Sequence, residues 1–104
     1  MEIRMLIAEF DESWEEFDTD LRMHRGFNEA AYKRCCAALS QLAVELKSEN
    51  SVPKELAMTF VDLVSAIEGC RDIYKGSLDE KIFQAMDELG DLARSCCVVV
   101  EKGP

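Results

Sequence analysis

Two prolines and five glycines are nearly all the punctuation this 104-residue chain has, too little for a disordered or low-complexity sequence. No stretch of 18 apolar residues occurs, and the N-terminus MEIRMLIAEF has no basic segment leading into a sustained apolar run. Neither a membrane span nor a secretory leader is expected, and the chain reads most simply as cytoplasmic. A single histidine, His24, and the lack of any CxxC spacing leave no metal-ligand set, and no cofactor is expected. The cysteines, Cys35, Cys36, Cys70, Cys96 and Cys97, are odd in number and include two adjacent pairs. That is a poor framework for internal disulfides, so reduced thiols are expected. Bases are scarce as well: 12 Lys and Arg stand against 21 Asp and Glu, for a formal charge of −9. Such a chain repels phosphate backbones and anionic membranes and attracts basic surfaces, which sets nucleic acid and membranes aside as partners.

What the sequence does have is hydrophobic residues, 48% of the total, enough for a single domain that buries about 60–70% of its unfolded surface. It also has acid in one place. Residues 1–28 carry a net −5, and the remaining 76 residues only −4. The centre of this asymmetry is EFDESWEEFDTD at 9–20, with seven carboxylates and three aromatic rings.

A helical period sorts the two kinds of residue. Ile3, Ile7, Phe10, Trp14, Phe17 and Leu21 advance by alternating steps of four and three, which puts them on one face, while Asp11, Glu12, Glu15, Glu16 and Asp18 fall on the flanks and the far side. The same reasoning predicts four helices near 2–24, 29–47, 53–74 and 78–97. The second begins after an Asn28 N-cap and carries Tyr32, Cys35, Cys36, Leu39, Leu42, Ala43 and Leu46 on its stripe. The third follows Pro53 with Leu56, Phe60, Leu63, Val64, Ile67, Cys70 and Tyr74. The fourth follows a capping-box pattern, Ser77 with Glu80, and carries Ile82, Met86, Leu89, Ala93 and Cys96. The tail CVVVEKGP is β-branched and is free to fray, extend or pair as a strand. Four helices of about twenty residues with short links predict an all-α, antiparallel, up-down-up-down four-helix bundle. The rival arrangement splits the first helix at Asp11 or the fourth at Gly90.

In such a bundle helices two and four run parallel, and counting from their starts puts Cys35 and Cys96 roughly 18 Å apart along the axis. Cys70 is expected level with Cys35 and Cys36. Packing is the expected role of all five thiols. His24, at a helix C-terminus, is expected to cap it or to meet its dipole.

Unpaired like charges at i, i+4, such as Asp11 with Glu15 and Glu12 with Glu16, cost a few tenths of a kcal/mol each. The stretch itself holds no lysine or arginine to offset them. The expected function is therefore binding without catalysis: an acidic helical protein that recognises a basic protein partner and neutralises or carries it, as immunity proteins and antitoxins do for nuclease toxins. Glu9, Asp11, Glu12, Glu15, Glu16, Asp18 and Asp20 would meet the partner's bases, with Trp14 as a candidate anchor. Self-association through the apolar stripes into a homodimer is one alternative. A second rests on DELGD at 87–91, where Glu88-x-x-Asp91 resembles half of the magnesium-binding motif of the all-α nucleotide pyrophosphohydrolases of the MazG type. That resemblance implies a magnesium-dependent hydrolase, whose preceding helix would supply a carboxylate cluster. Here that helix offers Glu55, Asp62, Glu68 and Asp72, without an ExxE spacing.

Overall fold

The structure is a computed structural model and describes residues 2–98. It is an all-α four-helix bundle: α1 (Ile3–Arg22), α2 (Glu29–Glu45), α3 (Lys54–Glu68) and α4 (Ser77–Ser95), with a single 3-10 turn at Arg71–Ile73 between the last two. Neither α1 at Asp11 nor α4 at Gly90 is split. Val99 to Pro104, most of the tail, lie outside the described residues.

The helix ends follow from local hydrogen bonding. Asn28 caps α2 as expected, its side chain accepting from the Ala31 N–H at 3.0 Å. α1 stops at Arg22, two residues short of the expected end, because the chain turns left-handed at His24 (φ 60°). The His24 N–H donates to the Leu21 carbonyl and the Arg25 N–H to the Asp20 carbonyl, the paired bonds of a Schellman cap. His24 thus caps the helix with its backbone. A histidine pays a steric penalty in that conformation, so His24→Gly should stabilise the fold by up to about 1 kcal/mol in a urea melt.

α3 is shorter than expected. At Gly69 the bonding tightens from Gly69 N–H to Ser65 O toward Cys70 N–H to Ile67 O, and a 3-10 turn takes over before Tyr74. That tightening places Tyr74 against the end of α1, where its hydroxyl donates to the Leu21 carbonyl at 2.8 Å and accepts from the Gly26 N–H at 3.1 Å. At α4 the expected capping box does not form. Ser77 is already inside the helix, and Gly76, at φ 68°, is the N-cap without a side-chain bond.

Cross-helix contacts give the topology. Glu9 meets Arg34 while Asp20 meets Asn28, so α1 and α2 are antiparallel. Gly90 lies against Val64 while Asp79 pairs with Arg71, so α4 runs against α3. Phe10 packs on Phe60 with Tyr74 on Leu21, so α1 and α3 are parallel. Lys81 bonds Glu29 at one end of the α2–α4 pair and Cys96 approaches the Leu39 carbonyl at the other, again parallel. Directions alternate along the chain, but the order around the bundle is α1, α2, α4, α3. Consecutive helices α2 and α3 are diagonal.

The core draws on every stripe: Phe10, Phe17 and Leu21, then Leu39 and Leu42, Leu63 and Ile67, Ile82 and Leu89 are fully buried. Leu6, Ala31, Ala38 and Ala85 join it from positions outside the expected stripes. Trp14, Tyr32, Phe60 and Tyr74 are only partly buried against it. The cysteines are all free: Cys35, Cys70 and Cys96 are buried, Cys36 half-buried and Cys97 exposed. Burial pushes the Cys35 and Cys96 thiols up to about 11, so both stay protonated at neutral pH. Their expected heights need correction. The Cys96 Sγ lies 3.5 Å from the Leu39 carbonyl, one helical turn from Cys35, because α2 and α4 do not start level. Cys70 has Asp18 and Arg22 of α1 as its charged neighbours, whereas Cys35 is beside Ser13. Cys70 is therefore more than a turn away from Cys35 along α1.

Candidate functional site

The acidic helix is less bare than its sequence. Arg34 of α2 reaches three of its carboxylates: its Nε is 2.9 Å from Glu9, one terminal nitrogen 3.2 Å from Glu16 and the other 3.6 Å from Glu12. The hydrogen bond from Arg34 holds the Glu9 carboxyl below the usual carboxylate range and raises the guanidinium in turn. Near the turn, Asp20 accepts from Asn28 at 2.9 Å and meets Arg25 at 3.5 Å. These contacts form a seam along the α1–α2 edge. They satisfy Glu9, Glu16 and Asp20, but leave Glu12 73% exposed.

Asp18 departs furthest from expectation. It sits on the α3 side of the stripe and is buried, 8% exposed, with one oxygen 2.9 Å from Arg22 and the other, Oδ1, without a partner among the described residues. Burial raises its pKa, against the opposing pull of Arg22. It is not available to a partner. Ser13, also buried, turns its hydroxyl inward to the Glu9 and Phe10 carbonyls, which disposes of its polarity without any outside contact.

On the other flank, facing α3, Asp11, Glu15 and Glu55 come together with no ion-pair partner among the described residues. Partial burial first, then the charges of Glu55 and Glu15, raise the Asp11 pKa. Trp14 lies one turn on, half-buried, its ring 6.2 Å from Phe17. It is neither wholly core nor a free anchor: one side packs and the other is open. Thus of the eight candidate residues, Asp11, Glu12, Trp14 and Glu15 remain on the open side, Glu9, Glu16 and Asp20 are engaged, and Asp18 is inside.

Two site residues escape a reading of the first helix alone. Arg34 had a signal, since a short link makes residues equidistant from the turn face each other, and that register sets Arg34, five residues into α2, level with Phe17 and so next to Glu16. Glu55 had none, because nothing local says that α3 lies beside α1.

Glu88 faces α2, and Asp91 is tied to its own helix. Glu88 has the Cys36 Sγ at 4.0 Å and helps to hold the Tyr32 phenol, already raised by burial, far above its ordinary range. Asp91 is paired with Arg94 on its own helix. No three His, Cys, Asp or Glu side chains among the described residues are grouped to hold a cation. None of the described helices is long and apolar enough to cross a membrane. Compared with models of protein families, with curated proteins and with solved structures, the chain matches none. Fold and surface together define an acidic all-α bundle with one carboxylate-rich edge.

Proposed function

We propose that this protein is a binding protein without catalytic activity, which recognises a basic protein partner through the α1 edge facing α3 and neutralises or carries it, as an immunity protein or antitoxin does for a nuclease toxin. The observation that carries the reading is Asp11, partly buried and within reach of the charges of Glu15 on its own helix and Glu55 on α3, with no ion pair to any of the three among the described residues. Their mutual repulsion is relieved by a lysine or arginine arriving from outside. Glu12 extends the acidic edge, and the open side of Trp14 supplies apolar contact at its centre. The internal pairing of Glu9 and Glu16 with Arg34 holds the edge in shape.

The test begins with capture of partners from the source cell on tagged protein, washed at rising salt. The association rate of the recovered partner is then measured by stopped flow. Between low and physiological ionic strength it should fall by about tenfold or more. Glu12→Lys with Glu15→Lys should lower it similarly at low salt while the far-UV circular dichroism stays unchanged. A rate indifferent to both salt and charge reversal would sink the reading.

A further inference from the structure

The outward face of α3 is unlike that of the other helices. Among the described residues α1, α2 and α4 each expose one large apolar side chain, Met5, Val44 and Phe83, and Phe83 is covered by the Arg71 guanidinium 4.8 Å from its ring. α3 exposes three: Met58 at 67%, Val61 at 78% and Val64 at 40%. Lys54, Ala57, Met58, Val61 and Asp62 line a shallow depression there. A second apolar groove, between α3 and α4, starts at Phe60 and Val64 and ends at Val98. Val61 lines the first and Val64, about one turn further along α3, lines the second. Clustered apolar surface of this kind marks an interaction site, whereas single exposed residues do not.

The sequence of this face states which partner fits it. Lys54, Ala57, Val61, Val64 and Glu68 advance by three and four, and so do Lys54, Met58, Val61, Ser65 and Glu68, so the seven residues form one stripe with a base at its N-terminal end, an acid at its C-terminal end and mostly apolar residues between. The stripe is symmetric about Val61. A second α3 laid antiparallel with a two-fold axis at Val61 brings Val61 onto Val61, Met58 onto Val64, Ala57 onto Ser65, and Lys54 onto Glu68 twice over. A parallel pairing would set Lys54 on Lys54 and Glu68 on Glu68. Lys54 has no ion pair among the described residues. Glu68 is 58% exposed, and Arg71, its neighbour at 3.5 Å, keeps a closer bond to Asp79 at 3.0 Å. Both charges are accessible at the two ends of the patch.

We infer that the protein forms a two-fold symmetric homodimer through α3, with Val61 on the axis and reciprocal Lys54–Glu68 pairs at the rim. The apolar centre supplies the affinity and the charges fix the antiparallel orientation. The stripe contains none of Asp11, Glu12, Trp14, Glu15 or Glu55, so the two proposals are tested by different residues.

Sedimentation equilibrium of the full chain, from low to high micromolar concentration, tests the inference. The wild type should approach twice its monomer mass at the upper end. Val61→Glu buries a charge against its own copy and should raise the dissociation constant by about tenfold or more. Because Val61 is exposed in the monomer, helicity and thermal midpoint of the separated subunits should not change. Lys54→Glu alone should weaken the dimer, and Lys54→Glu with Glu68→Lys should restore it. A wild type that stays monomeric, a dimer indifferent to Val61→Glu, or a double variant no better than Lys54→Glu would each overturn the proposal.

Discussion

Replacing Phe17 with alanine should destabilise the protein by about 3–5 kcal/mol, a large part of the 5–15 kcal/mol or so that holds a domain of this size folded. Phe17 is fully buried. Its ring centre lies 5.2 Å from that of Phe27, edge-on, and 5.7 Å from that of Tyr32, with Trp14 at 6.2 Å. Truncation removes transfer free energy and the edge-to-face contact with Phe27, and leaves a cavity that three other rings cannot close without moving. Lys81, whose ammonium sits 4.7 Å above the Phe27 ring, is drawn into the same rearrangement. A urea titration followed by tryptophan fluorescence reads both effects, because Trp14 is the sole tryptophan and touches the residue replaced. An unfolding free energy lowered by less than about 1 kcal/mol would mean that this cluster is not part of the core.

Tyr74→Phe should cost about 1–3 kcal/mol, more than a surface hydroxyl warrants. The hydroxyl accepts from the Gly26 N–H and donates to the Leu21 carbonyl, so its loss strands the Gly26 N–H where the chain leaves α1 and takes one of two bonds from the Leu21 carbonyl, which keeps the His24 N–H. The position also matters to the bundle. α1 packs most heavily on α2, and α3 on α4; the α1–α3 side is thinner, held by Phe10 on Phe60 at one end and Tyr74 at the other. The substitution leaves the ring in place, so lost packing cannot account for a drop in stability. Differential scanning calorimetry should show the midpoint lowered by at least about 4 °C. Hydrogen exchange should show faster opening at residues 21–27 than at the α1–α2 edge.

The fold was legible because helix periodicity is local. Alternating steps of three and four place Phe10, Phe17 and Leu21 on one face whatever they pack against, and Asn28 marks a helix start because its side chain needs only the backbone three residues on. Where the local signal was ambiguous, tertiary demand decided the outcome. Ser77 with Glu80 has the capping-box spacing, yet Gly76, with its positive φ, starts the helix one residue earlier. The α3 stripe continues in sequence to Tyr74, but the chain tightens after Gly69, which lets Tyr74 reach α1.

The candidate site was legible only in part, and charge is the reason. A carboxylate's environment depends on which helix lies alongside and in what register, and neither is written in the residues next to it. The pattern of EFDESWEEFDTD established an amphipathic helix with rings inward and an excess of acid, since both follow from composition and a 100° turn per residue. Which acids stay available followed from packing across the bundle. Arg34 from α2 engages Glu9 and Glu16, burial on the α3 side withdraws Asp18, and Glu55 from α3 joins Asp11 and Glu15. Periodicity sorts a helix into faces, but Coulomb interactions fall off over a few ångströms through space, so neighbours distant in sequence determine what each face presents.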